Sequence, residues 1–384
     1  MTPECLILGG GLSGSMAALR LATAGRKTVL LEKEKLPHHK VCGEFLSAEA
    51  VGYLRQAGID PLLLGAAPIQ FLRLSVGKRV VETKLPFTAL SLSRHILDEA
   101  LLARAAEEGC VIRRGETVKS LAFNREAGTA CLSSGESLTA PAVFLATGKH
   151  DLRGWTRSQG MHTDLIGFKL HWRLPPAQTA ALHNVMELFL FPGGYGGFAL
   201  VEQGIANLCL VVRKPVLRSL GGWPSLLKEL LAGNARLGHC LHAAQPLWDR
   251  PLAVSPIPYG HLGCDATETR LWPLGDQIAV IPSFTGDGMS IALHSAALAA
   301  TAYLAGSSPA TYQRQLVNQL RRGMKIAVTL SRACVHPLPQ QAAPVALALF
   351  PQAIRWIAAA TRIPAAALAT ASRRPVENLS RGKI

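Results

Sequence analysis

The sequence contains few charged residues, few aromatic residues and no long apolar run. Of its 384 residues, 17% are charged and 6% aromatic, whereas 49% are hydrophobic and the mean hydropathy is +0.22. This composition and length predict a globular protein of two or three structural units, and the low charge favours an apolar surface or substrate. Because no stretch of about 18 uninterrupted apolar residues occurs, we expect no transmembrane helix. No basic segment precedes the first apolar run, so we expect no signal peptide.

Closely spaced cysteines are missing as well. The eight cysteines lie far apart and include no CxxC pair; they are Cys5, Cys42, Cys110, Cys131, Cys209, Cys240, Cys264 and Cys334. The spacing argues against a disulfide framework, against CxxC redox chemistry and against a metal site, and it favours a reducing cytoplasm. Cys5, Cys110, Cys131 and Cys209 fall in apolar runs, where we expect them to be small core residues.

Acidic residues are scarce relative to basic ones. The chain has 40 lysines and arginines against 25 aspartates and glutamates, a formal charge of +15. No basic stripe interleaved with aromatic residues occurs, so we expect no nucleic-acid partner. A diffuse positive field favours an anionic substrate, an acidic protein such as a carrier, or an anionic membrane surface.

The first 45 residues contain a nucleotide-binding pattern. The apolar run Glu4–Leu8 predicts a buried strand, Ser13–Ala24 has helical spacing, and Thr28–Leu31 predicts a second strand that ends on Glu32. Between the first strand and the helix lies Gly9-x-Gly11-x-x-Gly14. In a βαβ unit these glycines permit a tight turn, a close approach of backbone to a pyrophosphate, and close helix–strand packing. The phosphates then meet the helix N-terminus, and Glu32 binds the ribose hydroxyls.

One glycine turn does not distinguish FAD from NAD, but two later motifs do. His39-Lys40-Val41-Cys42-Gly43-Glu44 follows the ribose-binding acid, and Gly275-Asp276 precedes Pro282-Ser-Phe-Thr-Gly286-Asp287-Gly288-Met289. With these motifs, residues 2–305 resemble the FAD-dependent monooxygenases of the para-hydroxybenzoate hydroxylase class. The resemblance is strongest to the branch of geranylgeranyl reductases and flavin halogenases.

The resemblance implies roles for individual residues. Asp276 is similar to the aspartate that binds the FAD ribityl chain, and Pro282 is similar to the proline that opens the flavin loop. Backbone N–H groups at Gly286–Met289 then lie beside flavin N1 and O2, where a helix N-terminus stabilises the negative charge of reduced flavin. The residues that we expect to bind FAD are Gly9, Gly11, Leu12, Ser13, Gly14, Glu32, Lys33, Lys40, Cys42, Gly43, Arg94, Val118, Ala146, Thr147, Gly148, Gly275, Asp276, Pro282, Gly286, Asp287, Gly288 and Met289.

Several of these positions have a plain structural alternative. Gly275-Asp276 and Pro282 also fit ordinary turns, and Arg94 also fits an exposed helix position. The resemblance places Lys40–Glu44 against the flavin ring, which makes Cys42, Glu44 and Pro282 the catalytic candidates. Cys42 either faces the flavin or packs as a small residue, and Lys40 and Glu44 either titrate in the active site or form a solvated ion pair.

The sequence departs from the hydroxylase pattern in its middle motif. Where those enzymes have Asp-Gly followed by serine and arginine, this chain has 148–154, GKHDLRG. That motif binds both FAD and NAD(P)H in the hydroxylases, so direct reduction by NAD(P)H is in doubt and a separate flavin reductase is the alternative donor. The tryptophan-halogenase element is only faintly present at 170–175 (LHWRLP).

The sequence also offers substrate-binding candidates outside the flavin motifs. Polar residues alternate with apolar ones on the strand-like runs of residues 155–262; they are Lys169, His171, Glu187, Tyr195, Glu202 and Asn207. Near the C-terminus, Trp356 and Ile357 with Arg355 and Arg362 fit either an amphipathic helix on a membrane surface or a helix packed on the parent domain.

Together these patterns predict an α/β fold: a Rossmann-like FAD-binding domain interrupted by a mixed-sheet substrate domain, with a helical tail. The expected parts are 1–75, 93–154 and 263–308 for the FAD-binding domain, 76–92 and 155–262 for the substrate domain, and 309–384 for the tail.

The favoured activity, taken from the resemblance, is monooxygenation of an aromatic or polyketide-like substrate of secondary metabolism through a flavin C4a-hydroperoxide. The alternatives are reduction of an isolated double bond in a lipid-like substrate, halogenation, and modification of a partner protein. The substrate is expected to be a small or carrier-bound molecule.

Overall fold

The computed structural model describes residues 2–161, 163–263, 270–350 and 352–372. Cys264 and the last twelve residues of the expected tail lie outside these ranges. The strands of the described residues are β1 (Cys5–Leu8), β2 (Thr28–Glu32), β3 (Phe45–Leu46), β4 (Ala67–Val76), β5 (Arg79–Ser91), β6 (Val111–Arg114), β7 (Val118–Phe123), β8 (Gly128–Leu132), β9 (Ser137–Ala140), β10 (Ala142–Leu145), β11 (Leu165–Arg173), β12 (Asn184–Phe191), β13 (Gly194–Leu200), β14 (Ile205–Arg213), β15 (Gln245–Pro246), β16 (Leu252–Val254) and β17 (Leu271–Pro273).

The helices of the same residues are α1 (Leu12–Thr23), α2 (Ala48–Gln56), α3 (Arg94–Glu107), α4 (Pro176–Ala181), α5 (Lys214–Leu220), α6 (Trp223–Gly233), α7 (Ala235–Cys240), α8 (Gly288–Leu304), α9 (Pro309–Cys334), α10 (Pro337–Leu349), α11 (Gln352–Thr361) and α12 (Ala365–Ser372). None of the helices that the structure describes is both long and apolar enough to cross a membrane.

A parallel five-stranded sheet forms the first layer, in the order β17-β10-β1-β2-β6. Its central strand β1 is buried along its whole length, which explains the unbroken apolar run at this position. Helices α1, α3 and α8 pack together on one face and enclose the main apolar core. Because β17 comes from a segment far from β1 in sequence, this layer closes only when distant parts of the chain meet.

A second, mixed sheet has nine strands. Its main path runs β15-β11-β14-β13-β12-β4-β5-β3, and β16 pairs with β11. All pairs are antiparallel except β12 with β4. Because β4 shares hydrogen bonds with both β5 and β12, the first part of the FAD-binding domain ends before residue 67, and the expected boundary at 75 was wrong.

Two details complete these layers. Val111–Arg114 pairs in parallel with β2, and the small antiparallel sheet consists of β7, β8 and β9. The helices α5 and α6 are separate because Gly221 and Gly222 have φ of 82° and 118° and end α5 before α6 begins.

Four helices follow the parallel layer at the C-terminal end. The longest, α9, begins at Pro309 after the capping side chain of Ser308 and buries one face. Helices α10 and α11 pack on α9 and also contact the hairpin strand β5, and α12 contacts α8. The tail is therefore part of the folded body across both layers.

Candidate functional site

The glycine turn between β1 and α1 is closely packed. A Cβ on Gly9 would collide with the carbonyl of Ala146, and a Cβ on Gly14 would collide with the carbonyl of Gly9. Gly9 also has a φ of 110°, which favours glycine. No side chain caps the N-terminus of α1 at Gly11, so the first N–H groups of the helix at Leu12 and Ser13 remain available to a phosphate.

The acid at the end of β2 lies beside this turn. The Glu32 carboxylate is buried and accepts hydrogen bonds from the backbone N–H groups of Gly10 at 2.7 Å and of Glu34 at 3.0 Å. A cleft opens next to it; its lining includes Gly10, Glu32, His38, Lys40, Arg94, His95 and Asp98. The ribose-binding position predicted from the sequence therefore lies on the wall of a cleft at the glycine turn.

Two cations also face the turn. A Cβ on Gly11 would lie 3.4 Å from a guanidinium nitrogen of Arg94 and 3.7 Å from Nζ of Lys40. Both side chains bind Asp98: Arg94 donates two hydrogen bonds of 2.6 and 2.8 Å, and Lys40 donates one of 2.8 Å. Burial alone lowers the pKa of Arg94, but the Asp98 carboxylate outweighs burial and raises it. Because Asp98 binds both cations, it holds Arg94 and Lys40 beside the turn where a phosphate is expected.

Two further predicted motifs pack against the turn. Backbone N–H of Ala146 donates to Leu8 at the end of β1, so the segment 146–148 crosses directly beside Gly9. Gly275, with a φ of 56°, could not hold a Cβ because Ser13 Oγ of α1 lies 2.8 Å from where it would be. The partly exposed Asp276 follows, and its carbonyl accepts a hydrogen bond of 3.0 Å from Arg157.

The loop before α8 has the form expected of a flavin loop. Pro282 precedes a short 3-10 turn, Gly286 ends that turn with a φ of 72°, and α8 begins at Gly288. A Cβ on Gly286 would lie 2.5 Å from the ring of Phe45, so the loop packs against β3. Gly288 is exposed with no described atom within 4 Å of a Cβ, whereas Met289 is buried in the core.

Asp287 is the buried acid of this loop. Neither carboxylate oxygen has a hydrogen-bond partner among the described residues, although Arg362 of the C-terminal region lies 3.4 Å away. Burial raises the pKa of Asp287 to about 6, and Arg362 partly opposes this shift. The same guanidinium binds Glu49 at 2.9 Å and lies 4.1 Å over the ring of Phe87.

The segment 41–44 is held between the two layers. Lys149 Nζ donates to the carbonyl of Val41 at 2.8 Å, and Asn207 Nδ2 of β14 donates to the carbonyl of Cys42 at 3.1 Å. Gly43 has no described atom within 4 Å of a Cβ. The Cys42 thiol accepts a hydrogen bond of 3.3 Å from the N–H of Glu44 and is partly exposed.

A buried charged cluster, composed of Glu44, Lys169 and His171, fixes the end of this segment. Strand β11 presents Lys169 and His171 on the same face because side chains two apart on a strand point the same way. Lys169 Nζ binds one Glu44 oxygen, and His171 Nε2 lies 2.9 Å from the other. Backbone N–H of Arg94 also donates to the carboxylate at 2.9 Å.

All three side chains of the buried charged cluster are almost completely excluded from solvent. Burial alone raises the pKa of Glu44, but Lys169 and His171 outweigh burial and lower it. Glu44 is therefore ionised at neutral pH.

Aromatic rings connect the buried charged cluster with the surface. The rings of His171 and His39 meet edge-on with centroids 4.8 Å apart, and His39 stacks on the half-buried His95 at 4.9 Å. Trp248 covers both His39 and His171. Burial and the charge of Lys169 lower the pKa of His39 to about 4, and its Nδ1 has no hydrogen-bond partner among the described residues.

The same imidazoles and Glu44 are close enough to suggest a metal site. Potential ligand atoms of His39, Glu44 and His171 lie within 4.8 Å of one another. The Lys169 ammonium already occupies the carboxylate, however, and its positive charge opposes a cation there. Glu44 is therefore engaged by Lys169 and His171 and not free to bind a metal ion.

Comparison with known proteins agrees with this arrangement. Residues 2–145 match the family model described as FAD binding domain. A menaquinone reductase from Mycolicibacterium smegmatis is 24% identical over 373 residues, which cover 90% of this chain and 88% of the reductase. The chain is an FAD-binding oxidoreductase.

Solved structures of flavin enzymes share the fold of this oxidoreductase. The halogenase PltM in complex with phloroglucinol and FAD superposes with a TM-score of 0.72 at 15% identity, covering 94% of this chain and 87% of the halogenase. The flavin-dependent brominase Bmp2 gives 0.73 at 16% identity, covering 97% of each chain. The fold class, the FAD cofactor and the resemblance to the FAD-dependent monooxygenase superfamily are thus confirmed.

Most of the predicted FAD-binding residues of the oxidoreductase lie at or near the carboxyl ends of the strands of its parallel sheet. Lys33 is exposed beside Glu34, and Val118 belongs to β7 of the small antiparallel sheet and packs on the apolar cluster beside it. Of the substrate candidates, Lys169 and His171 join the buried charged cluster, whereas Glu187 binds Arg73 and Arg236. Tyr195 is buried 3.5 Å from Ser331, and Glu202 accepts a hydrogen bond from Ser93 N–H.

The sequence interpretation missed some residues of the site. The ion pair of Asp98 could have been predicted, because it lies four residues after Arg94 on one helix. His95, Trp248 and the contact of Arg362 with Asp287 had no such local signal, since their partners come from distant elements.

Proposed function

We propose that this oxidoreductase saturates an isolated carbon–carbon double bond of an apolar, lipid-like substrate. The observation that carries the proposal is the buried charged cluster of Glu44, Lys169 and His171. It lies at the end of the segment 41–44, which the family resemblance places against the flavin. The proposal agrees with the menaquinone reductase that aligns with 90% of the chain.

Saturation of a double bond needs a hydride on one carbon and a proton on the other. Reduced FAD, when bound, supplies the hydride and thus both electrons, and it needs NAD(P)H or a separate flavin reductase to be reduced again. A source for that proton lies at the end of the segment 41–44, where Glu44 is paired with Lys169 and His171. The two carbons then each gain one C–H bond while the π bond is lost.

The buried charged cluster suits the supply of that proton. Its carboxylate remains ionised, and the Lys169 Nζ group donates to it out of contact with bulk water, so that donatable protons lie on a buried pair. His171 lies on the same carboxylate, and His39 extends from it toward half-buried His95. Because His39 is uncharged at neutral pH, it can accept a proton from solvent and pass it inward.

The test is anaerobic turnover with menaquinone-4 as the probe. The FAD-loaded protein is reduced with dithionite, mixed with the probe in detergent micelles, and exposed to air so that any quinol returns to quinone before mass spectrometry. We expect a product heavier by two hydrogen atoms. Oxidised enzyme with the same probe is the control and should leave the mass unchanged.

The same assay distinguishes the other reactions that the sequence suggested. Under air, with an aromatic probe such as phloroglucinol, monooxygenation adds one oxygen atom to the product and halogenation adds a halogen when halide is present. Either product, together with an unchanged menaquinone-4 mass in the anaerobic arm, contradicts the reductase proposal.

A further inference from the structure

The C-terminal helices carry an unusual distribution of charge. Residues 309–372 contain seven lysines and arginines and no aspartate or glutamate. In the rest of the chain, acids and bases are interspersed. The tail therefore contributes a strong positive field to one part of the molecule.

Four of these cations form a stripe along α9. Arg314, Arg321, Lys325 and Arg332 are exposed, and their spacings of seven, four and seven residues place them on one helix face. The opposite face buries Tyr312, Leu316 and Leu320. None of the four cations has an ion-pair partner among the residues that the structure describes, although Arg332 donates a hydrogen bond to the carbonyl of Met161.

Large exposed apolar side chains follow directly on the next two helices. Leu338 and Val345 of α10, Phe350 after it and Trp356 of α11 are 81%, 47%, 68% and 73% exposed. They make up four of the eleven large hydrophobic residues exposed in the described part of the chain, including both aromatic ones. Since α10 and α11 both pack on α9, the exposed cations and apolar side chains lie on helices in direct contact.

We propose that this surface, which we call the basic–apolar face, docks on an anionic lipid bilayer. Lysine and arginine bind the anionic headgroups, while tryptophan and phenylalanine enter the interfacial region. Pairing of two copies through the same face would bring the uncompensated cations together and is disfavoured by repulsion. Docking is independent of the reaction catalysed, although it would place the enzyme where an apolar substrate is dissolved.

The test is flotation of the FAD-loaded protein with vesicles. We expect binding to vesicles of phosphatidylcholine with roughly one third phosphatidylglycerol and little binding to phosphatidylcholine alone. About 0.5 M NaCl should release the protein, since it screens the headgroup attraction. The double variants Phe350→Ser/Trp356→Ser and Arg321→Gln/Lys325→Gln should each weaken vesicle binding by at least about tenfold. For the second variant this follows from a loss of about fivefold for each cation removed.

A matched control comes from two exposed leucines elsewhere in the molecule. Leu36 and Leu63 are 74% and 87% exposed, so Leu36→Ser/Leu63→Ser removes comparable apolar surface and should leave vesicle binding unchanged. Retained flavin absorbance verifies that each variant is folded. In addition, Trp356→Phe should abolish the blue shift of tryptophan fluorescence that anionic vesicles cause in the parent protein.

Four results would overturn the proposal. The first is no binding to anionic vesicles, and the second is equal weakening by the control variant. The third is light scattering of a dimer that Phe350→Ser/Trp356→Ser converts to a monomer, which would make the face a contact between copies. The fourth is binding to polyglutamate without binding to vesicles, which would indicate an acidic protein partner.

Discussion

Glu44 combines full burial with a backbone conformation that is rare outside glycine. Its φ is 58°, and its carbonyl accepts hydrogen bonds from Leu92 N–H and Ser91 Oγ. Such a conformation costs about 1 kcal/mol or more and persists only where the surroundings enforce it. Here Lys169, His171 and the backbone of Arg94 hold Glu44 in place. Because Lys169 and His171 lie far away in the sequence, the sequence alone could not decide whether Glu44 is an active-site group or part of a solvated ion pair.

The first prediction concerns this residue. Glu44→Gln should lower the free energy of unfolding by about 3–5 kcal/mol, because it leaves the Lys169 ammonium buried without its partner. Urea unfolding measures the loss, and adding Lys169→Met to Glu44→Gln should recover much of it. The Glu44→Gln/Lys169→Met variant should still reduce menaquinone-4 slowly, and the pH dependence of its rate should differ from that of the parent protein. Full activity in that variant would limit the buried charged cluster to a structural role.

The glycine turn permits an equally direct test. Gly14→Ala should abolish retention of FAD during purification, because its Cβ would overlap the Gly9 carbonyl and push α1 away from β1. Gly52→Ala is the control: this helical glycine has no atom within 4 Å of a Cβ, so alanine should keep FAD and slightly stabilise α2. Flavin absorbance of the purified proteins reports the result, and a yellow Gly14→Ala protein would contradict the assignment.

Asp287 gives the third prediction, a dependence on pH. Its pKa in the folded protein is about 6 against a usual 3.8, so between these values the folded state holds a proton that the unfolded state has lost. Its contribution to stability therefore decreases as pH rises from about 4 to about 6, by roughly 3 kcal/mol. Asp287→Asn should remove this decrease in urea unfolding at saturating FAD. The exposed Asp249→Asn should retain it; identical pH profiles for the two variants would refute the assignment.

At the scale of elements, Arg362, which follows directly after the helix α11, ties the C-terminal region to the flavin loop. This guanidinium contacts Glu49 of α2, Asp287 of the loop and the ring of Phe87 on β5. A segment that the sequence analysis treated as a tail therefore contacts α2, β5 and the flavin loop. No periodicity in the tail predicts such a contact, because it depends on how layers pack rather than on local spacing.

Removal of this tie is the fourth prediction. Arg362→Met should lower the free energy of unfolding by about 1–3 kcal/mol, because it leaves the Asp287 and Glu49 carboxylates without a cation. Arg355→Met, on the helix α11 just before it, should change the free energy of unfolding by less than about 0.5 kcal/mol, since Arg355 is exposed. Thermal unfolding followed by flavin fluorescence compares the two, and equal losses would show that Arg362 has no special role.

Local sequence patterns predicted many elements but could not predict which distant strands pair with each other. The strand β1, the glycine turn and α1 follow from apolar runs and spacing, and they occur within two residues of their expected bounds. The boundary at 75 failed because sheet membership is decided by pairing, and β4 pairs with a strand more than 100 residues away. The parallel pairing of Val111–Arg114 has no local signal for the same reason, since it depends on the partner strand β2.

For the whole molecule, the charge of +15 has a measurable consequence. Self-repulsion destabilises a compact state, and added salt screens it at distances beyond about 10 Å. The fifth prediction is therefore that the midpoint of thermal unfolding rises between about 20 mM and about 200 mM NaCl. Equiosmolar sucrose is the control for effects other than screening. A midpoint that falls with salt would mean that local ion pairs, such as those of Asp98, outweigh the net charge.

The FAD-binding edge could be predicted further than the chemistry above it. Glycines and capping positions follow local rules, so the turn and the loop before α8 were recognisable in the sequence. The buried charged cluster unites Glu44 with residues more than 120 positions later, on a strand of another layer. Its protonation depends on burial, and burial is a property of the packed molecule.

The edge strand β17 of the parallel sheet lies beyond residue 270. This position has a consequence for the order in which the protein is synthesised and folds. During translation, the glycine turn leaves the ribosome long before β17 and the helix α8 that complete its surroundings. A nascent chain shorter than about 300 residues thus cannot enclose the flavin. We expect cofactor capture to be a late event of synthesis, after the second sheet has formed, and chains released early to emerge colourless.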